Sequence, residues 1–184
     1  GRAHIMKDRS KSPIQEFRKA NVDVTKRLAK VAKEAGVKRL VFLSSIKVNG
    51  EATLKSRPFE ADFITAPSDP YAISKSEAEQ ALHSLAETGK FEVVIVRPPL
   101  IYGMEPKGNM ATLMKAIRRG IPVPLASVTN NLRSYVSLAN LSSFLKVCLL
   151  DARAANETFL VSDGRDMSTA ELIGRLSGVL EYPD

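Results

Sequence analysis

Residues 39–45, Arg-Leu-Val-Phe-Leu-Ser-Ser, and residues 69–75, Asp-Pro-Tyr-Ala-Ile-Ser-Lys, form the stretch of sequence on which the fold depends. The first segment is a short apolar run that ends in two serines, and such runs are typical of buried parallel strands. The second segment begins a helix, because Asp69 can cap it, Pro70 suits its first turn, and no glycine or proline follows before Gly89. In parallel sheets, ligands bind outside the carboxyl ends of the strands, which is where these serines are expected to lie.

Tyr71 and Lys75 are four residues apart on the predicted helix and therefore share one face. A tyrosine ordinarily titrates near pH ~10, and an ammonium within a few ångströms favours the phenolate, so we expect Lys75 to lower the pKa of Tyr71. Such a phenol can exchange a proton with an alcohol or a ketone, and Ser45 could hold the same oxygen. Taken alone, this spacing is more often an ordinary solvated helix face. Its position beside the Ser44-Ser45 strand end is what favours a catalytic site.

Helices and strands alternate along the rest of the chain. Helices are predicted over residues 14–35, 71–87, 109–119, 139–150 and 168–180, and strands over residues 37–45, 91–96, 133–137 and 157–162. Residues 46–69 are predicted to form a long irregular loop, and Pro98, Pro99 and Gly103 a stiff one. The alternation predicts an α/β protein with a doubly wound parallel sheet.

The composition excludes several classes of site and protein. The chain has 184 residues, of which 44% are hydrophobic, so it can bury a sizeable core. Cys148 is the only cysteine, which rules out an internal disulfide, and its apolar neighbours predict a core position. With His4 and His83 as the only histidines, we expect no Cys/His metal site. No apolar run is long enough to span a bilayer and residues 1–10 do not resemble a signal peptide, which predicts a cytoplasmic protein without a membrane partner.

The net charge of +7 raises the possibility of nucleic-acid binding. Much of the excess, however, lies on the predicted helix 14–35, whose apolar face we expect to carry Val24, Leu28, Val31 and Ala32. A solvated basic face explains this pattern more simply than a nucleic-acid footprint does, because neither an aromatic platform nor a tryptophan is present. Nucleic-acid binding is therefore only a minor alternative.

Three further segments accompany the Tyr71/Lys75 pair. They are Phe-Leu-Ser-Ser-Ile-Lys-Val-Asn-Gly at 42–50, Arg-Pro-Pro-Leu-Ile-Tyr-Gly at 97–103 and Asn-Leu-Arg-Ser-Tyr-Val at 131–136. In these segments the chain resembles the extended short-chain dehydrogenase/reductase family, and the resemblance extends from residue 17 to residue 180. It implies part of a Rossmann-like parallel sheet, together with a smaller C-terminal substrate-binding part.

The resemblance also implies roles for individual residues. It assigns catalysis to Ser45, Tyr71, Lys75 and Asn21. It assigns cofactor binding to Tyr71, Lys75, Pro98 and Ser44, and substrate binding to Ser45, Arg133 and Lys47. In this assignment Lys75 binds the nicotinamide ribose, and Arg133 meets the substrate diphosphate with its planar fork.

Within the family, the three segments look most like nucleotide-diphosphate-sugar 4-epimerases of the UDP-glucose type and the related 4-keto-sugar reductases of surface-polysaccharide synthesis. The implied cofactor is NAD, with NADP not excluded, and the implied partners are a nucleotide-diphosphate sugar and a second copy bound through the helices that start at Ile14 and Tyr71. Asn49, Leu100 and Asn140 depart from common family residues, which leaves the sugar open. Two alternatives remain: a related binding module without catalysis and a basic interaction protein.

The family begins with a strand, a Gly-rich turn and a helix that hold the cofactor pyrophosphate. The ten glycines of this chain do not provide that spacing, so we expect the Gly-rich half to be absent from this sequence. Residues 1–103 would then be the second half of a dinucleotide-binding domain, and residues 104–184 an incomplete substrate-binding part that interleaves with it. We expect this chain alone not to turn over substrate.

Overall fold

The computed structural model describes residue 10 and residues 12–53, 57–62, 67–103, 108–121 and 128–180. These residues belong to two compact units: the first combines residues 1–99 with 141–161, and the second combines residues 100–140 with 162–184. The functional division of the chain at residue 103 stays a prediction.

Helices and strands alternate through most of the described chain. The helices are α1 Pro13–Phe17, α2 Val24–Glu34, α3 Pro70–Leu85, α4 Gly108–Arg118, α5 Leu138–Leu150 and α6 Thr169–Leu180. A π-helical segment, Arg18–Asp23, joins α1 to α2, and 3₁₀ turns cover Ile46–Val48 and Ala152–Ala154. The strands are β1 Arg39–Leu43, β2 Glu92–Arg97, β3 Leu100–Tyr102, β4 Leu132–Arg133, β5 Tyr135–Ser137, β6 Thr158–Leu160 and β7 Met167–Ser168.

The first unit contains a parallel sheet of strand order β1-β2-β6. Val41 is in register with Val94, and Val96 with Phe159. The central strand β2 is buried, as expected for a strand covered on both faces. Its residues Val93 and Ile95 pack with Phe91, Leu82 of α3 and Ala29 of α2 in one apolar core. The predicted α/β class with a parallel sheet is confirmed.

Helix α3 begins where the sequence predicted. Asp69 accepts hydrogen bonds from the backbone amides of Tyr71 and Ala72, both at 3.0 Å, and Pro70 occupies the first turn. This is the N-cap arrangement that the Asp-Pro pair favours. The cap fixes the residue at which the helix starts, and therefore the place of Tyr71 in its first turn.

The prediction of the apolar face of α2 is confirmed for Ala32, which packs against the core, and was wrong for the three larger residues. Val24, Leu28 and Val31 are each more than half exposed, whereas Ala29 is fully buried in the core. Ala29 has only a methyl group as its side chain, so it lets the helix backbone approach the core closely, and the larger side chains lie off that contact. The predicted exposure of the basic residues is confirmed for Lys26 and Lys30, along with Arg27.

The second unit corrects two predictions. The predicted loop at Pro98–Gly103 contains strand β3, which pairs in parallel with β5. The predicted strand 133–137 is divided at Ser134 between β4, which pairs with β7, and β5.

The Asp163 carboxylate accepts hydrogen bonds from the Tyr102 hydroxyl at 2.7 Å and from the Asn140 side chain at 2.8 Å.

The structure also bears on the cysteine, on metal sites and on membrane-spanning helices. Cys148 is buried with a free thiol, so its predicted core position is confirmed. Within the described residues, no group of three or more His, Cys, Asp or Glu side chains is arranged to hold a metal ion. Of the helices in those residues, none combines the length and the apolar character that a membrane crossing requires.

Candidate active site

Ser45 and Tyr71 meet at the carboxyl end of β1. Ser45 has extended backbone and caps the 3₁₀ turn that follows it, where its hydroxyl accepts a hydrogen bond from the Lys47 amide at 3.3 Å. The same Ser45 side chain lies near enough to the Tyr71 phenol to lower its pKa by hydrogen bonding. The Tyr71 ring is half-buried and stands edge-on to Phe17, with 6.1 Å between the ring centroids. The two hydroxyl groups that the sequence assigned to one reaction are therefore adjacent.

Lys75 lies one helical turn after Tyr71 and points to the same strand end. Its ammonium nitrogen donates a hydrogen bond to the carbonyl oxygen of Leu43 at 2.7 Å. It also lies 3.9 Å from the centre of the Phe42 ring, a cation–π arrangement. Burial lowers the pKa of Lys75 to about 8, against a smaller opposing effect of the Glu79 carboxylate.

The expected lowering of the Tyr71 pKa was wrong for this structure. Burial, the largest influence, raises the pKa of Tyr71 above its ordinary value of 10 and outweighs the opposing hydrogen bond from Ser45. Asp69 raises the pKa of the phenol further, and Lys47 lowers it. The ammonium of Lys75 is directed at Leu43 and the Phe42 ring, and this is the physical reason why the sequence argument failed. At neutral pH the phenol keeps its proton.

Asn21 is linked to Tyr71 through one side chain. It is buried in the π-helical segment and donates a hydrogen bond from Nδ2 to Ser74 Oγ at 2.9 Å. Ser74 Oγ in turn donates to the backbone carbonyl of Tyr71 at 2.8 Å. Irregular turns of this π type are frequent at functional sites. Asn21 thus contacts α3 at Ser74, and the Ser74 hydroxyl links it to the backbone of the residue that bears the phenol.

Ser44 and Pro98 bring the ends of β1 and β2 together. The Ser44 amide donates to the Val96 carbonyl at 2.7 Å, and the Pro98 carbonyl accepts from the Ile46 amide at 3.0 Å. Ser44 is 4% exposed, and its hydroxyl oxygen has no hydrogen-bond partner among the residues that the structure describes. A buried hydroxyl without a partner is rare in proteins, so this oxygen is a candidate contact for a ligand.

Lys47 bridges two carboxylates beside this site. Its ammonium lies 3.2 Å from Asp69 Oδ2 and 3.2 Å from Glu51 Oε1. The contact with Asp69 joins the turn that follows Ser45 to the capped start of α3. Arg133, by contrast, belongs to the second unit, where it is exposed on β4 and pairs in register with Met167. The substrate-binding roles of Lys47 and Arg133 stay predictions.

The sequence argument missed a buried network around Arg97. The Arg97 guanidinium donates to both carboxylate oxygens of Glu79, at 3.0 and 2.6 Å, and to Asn49 Oδ1 at 3.1 Å. All three side chains are at most 2% exposed. Asn49, which departs from the family pattern, is thus bound inside the first unit. No signal in the sequence pointed to this network, because a glutamate on a helix is ordinarily solvated.

Comparisons with known proteins identify families and structures to which the chain is similar. Residues 3–161 match the family model of the NAD dependent epimerase/dehydratase family. The chain is 48% identical over 182 residues to the UDP-glucose 4-epimerase of Vibrio cholerae, an alignment that covers 99% of this chain and 56% of that protein. It is 29% identical over 170 residues to the N-acetyl-alpha-D-glucosaminyl-diphospho-ditrans,octacis-undecaprenol 4-epimerase of Escherichia coli O157:H7, covering 90% and 49%.

Solved structures share the fold. The dTDP-glucose 4,6-dehydratase of Bacillus anthracis str. Ames, crystallised in complex with NAD, matches with a TM-score of 0.79 at 22% identity, covering 92% of this chain and 55% of that one. At this identity the likeness concerns the fold alone. The chain spans about half the length of the curated relatives reported above.

Proposed function

The chain belongs to the NAD dependent epimerase/dehydratase family, and on that premise we propose that the full-length gene product is a nucleotide-diphosphate-sugar 4-epimerase acting on UDP-glucose or a close relative. The observation that carries the proposal is the meeting of Ser45, Tyr71 and Lys75 at the carboxyl end of β1. The similarity to the Vibrio cholerae UDP-glucose 4-epimerase supports the choice of substrate class.

The residues of the site divide the work on the sugar 4-oxygen. The Tyr71 hydroxyl passes a proton to or from this oxygen, and the adjacent Ser45 hydroxyl orients it by a hydrogen bond. Because the pKa of Tyr71 is raised, the phenol is protonated at neutral pH, and this is the form that can donate a proton to the sugar oxygen. The ammonium of Lys75 lies at the same end of β1, where the Leu43 carbonyl holds it, and the contact that we propose for it is the ribose of the cofactor.

A nicotinamide dinucleotide, as the family name implies, would supply the hydride chemistry at carbon 4 of the sugar. The chain's residues fit such a group, because the buried Ser44 hydroxyl has no other partner in the described part of the chain and lies at the carboxyl end of a parallel strand. We assign Ser44, Tyr71, Lys75 and Pro98 to cofactor binding. NAD is the cofactor we propose, with NADP as the alternative.

The substrate diphosphate is the ligand we propose for Arg133. A guanidinium can meet two phosphate oxygens at once, and Arg133 is exposed on its strand. Lys47 is the second cation we propose for substrate binding, and it stands beside Ser45 with its ammonium on Asp69. Both assignments can be tested by the Michaelis constant, since loss of a binding contact alone raises KM without lowering kcat.

A homodimer through α2 and α3 completes the proposal. A groove of about 570 Å³ runs along these helices. It is lined by apolar residues and by charges of both signs: Val22, Lys26, Lys30, Glu77, Gln80, Ala81, Ser84 and Leu85. Because a two-fold interface brings the same surface of each copy together, the apolar side chains of the groove would meet those of the second copy, while the Glu77 carboxylate stays paired with Arg18 of its own chain. An Ala81→Glu variant should dissociate the dimer in light scattering, whereas Leu150→Glu, at an exposed position of α5, should not.

The decisive experiment is a conversion assay with the full-length gene product. UDP-glucose and UDP-galactose are incubated with NAD, and interconversion is followed by chromatography. Tyr71→Phe should abolish interconversion, because the proton donor is lost. Tyr102→Phe is the matched control, since Tyr102 also has a raised pKa but hydrogen-bonds Asp163 in the second unit. Full activity in Tyr71→Phe would refute the proposal.

The same assay distinguishes the alternatives that the sequence left open. Stoichiometric consumption of reduced nicotinamide with a 4-keto sugar, without interconversion of the two UDP-sugars, would assign the protein as a reductase. Binding of UDP-sugar without any turnover would assign a binding module.

A further inference from the structure

The buried pair of Arg97 and Glu79 connects the parts of the first unit that carry the reacting groups. Arg97 is the last residue of β2, and Glu79 lies in α3, one turn after Lys75. Both carboxylate oxygens of Glu79 accept from the guanidinium, which is the bidentate geometry of the strongest ion pairs. The pair therefore fixes α3 against the end of the central strand.

The remaining guanidinium nitrogen fixes two segments of the chain that precede α3. Arg97 Nη1 donates to Asn49 Oδ1 at 3.1 Å and to the Ala61 carbonyl at 2.9 Å. Asn49 follows the 3₁₀ turn that begins beside Ser45, and its own amide group donates to the Glu60 carbonyl at 2.8 Å. One buried cation thus holds the turn after Ser45, the segment 57–62 and helix α3 in a fixed arrangement.

This arrangement is not explained by stability alone. Withdrawing two charges from water is costly, and replacing a buried ion pair by apolar residues of similar volume is often neutral or stabilising. A polar network of this kind specifies geometry, because each of its partners has to be in place for the others to be satisfied. The elements that it joins are those that bear Ser45, Tyr71 and Lys75.

We propose that Arg97, with Glu79 and Asn49, is a positioning network that sets the separation between the Ser45 hydroxyl and the Tyr71/Lys75 face of α3. The inference rests on the proposed function for its catalytic consequence, but its structural consequence is independent of that function. Arg97 acts through its partners and is not itself assigned a contact with the substrate.

The test compares two double variants of the full-length gene product. Arg97→Met with Glu79→Met removes the network and replaces both charged side chains by apolar ones of similar volume. Arg39→Met with Glu92→Met is the matched control, because that arginine–glutamate pair also involves β2 but joins it to β1 at the opposite end of the sheet. The readouts are amide hydrogen exchange, which needs no substrate, and the kinetics of UDP-sugar interconversion.

We expect the Arg97/Glu79 double variant to exchange amides at residues 46–50 and 57–62 at least tenfold faster, with residues 93–95 unchanged. Its kcat should fall by about 10²-fold, the loss expected from a misplacement on the order of 1 Å, with KM little changed. The control should leave the kinetics and the exchange at residues 46–50 and 57–62 as in the parent. Asn49→Leu keeps the ion pair. It should accelerate amide exchange at residues 46–50 and 57–62 and leave amide exchange in helix α3 unchanged.

Unchanged exchange at residues 46–50, or an equal increase across the whole sheet in both double variants, would overturn the inference. If the parent protein interconverts no UDP-sugar, the proposed function fails, whereas the exchange measurements still decide whether the network positions these segments.

Discussion

The Lys75 ammonium hydrogen-bonds the Leu43 carbonyl over 2.7 Å, which joins the Tyr71/Lys75 face of α3 to the last residue of β1. The Phe42 ring, 3.9 Å away, covers the same ammonium. This contact places a cation at the sheet edge where the proposed substrate oxygen reacts. The same contacts remove the ammonium from water, and this burial lowers the pKa of Lys75.

Lys75 should titrate near pH 8, far below an exposed lysine. Burial lowers its pKa from 10.5 to about 8 because the charged form loses hydration. Between these two values the unfolded chain binds a proton that the folded chain does not, so the free energy of unfolding should rise with pH from about 8 to 10.5. Carbon-13 NMR of the lysine side chains would give the pKa, and urea unfolding at several pH values would give the slope.

Lys75→Met should remove this contribution to the pH slope. Lys115→Met, at an exposed position of α4, is the control and should leave the slope as in the parent. A Lys75 resonance that titrates near pH 10 would contradict the buried position.

Tyr71 should ionise above pH 10 in the free protein. Burial raises its pKa, and the hydrogen bond from Ser45 partly offsets that effect, so Ser45→Ala should raise the pKa further. The phenolate absorbance of Tyr71 can be obtained as the difference between the parent and Tyr71→Phe during a pH titration. A transition near pH 7 in that difference spectrum would restore the simpler expectation that Lys75 acidifies the phenol.

The strand end and the helix start could be predicted because short-range chemistry determines both. The two serines end an apolar run, and Asp69 with Pro70 begins a helix, so Ser45 and Tyr71 could be assigned to one edge of the sheet. Side-chain direction could not be predicted in the same way. The four-residue spacing puts Lys75 on the face of Tyr71, but the tertiary position of Leu43 decides where the ammonium points.

Burial on α2 shows a second limit of the sequence argument. Hydrophobicity pointed to Val24 and Leu28, whereas the helix packs through Ala29, since close approach depends on side-chain size as well as on polarity. Glu79 shows a third limit. A glutamate on a helix is ordinarily solvated, and only the fold reveals that Arg97 reaches it in the core.

Asn21 and Ser74 should be energetically coupled. Each alanine substitution removes one partner of a buried hydrogen bond, which costs on the order of 1–3 kcal/mol of unfolding free energy. The double variant should cost less than the sum of the single variants by about 1 kcal/mol, because the bond can be lost only once. The exposed pair Ser134 and Asp166, with a hydrogen bond of 2.7 Å, is the control and should show little coupling. Additive effects for Asn21 and Ser74 would show that the observed 2.9 Å contact contributes no stability.

Asp69 should stabilise the protein both as a helix cap and as a charge. Asp69→Ala removes the acceptor of the Tyr71 and Ala72 amides and should cost about 1 kcal/mol. Burial alone would raise the pKa of Asp69, but the Ala72 amide and the Lys47 ammonium outweigh it and hold the pKa below 3.8. A depressed folded-state pKa contributes stability above pH 3.8 that is lost as the pH falls through the folded value, so the gap between parent and variant should shrink in acid.

A second helix cap separates the two contributions of Asp69. Ser168 accepts a hydrogen bond from the Glu171 amide at 3.0 Å, so Ser168→Ala should cost a similar free energy of unfolding. A serine hydroxyl does not titrate in this range, and the cost at Ser168 should therefore be the same at pH 3 and pH 7. Urea unfolding of both variants at the two pH values makes the comparison. If the cost of Asp69→Ala is equally insensitive to pH, the charge adds nothing to the cap, and the ion pair with Lys47 has no part in holding the start of α3 beside Ser45.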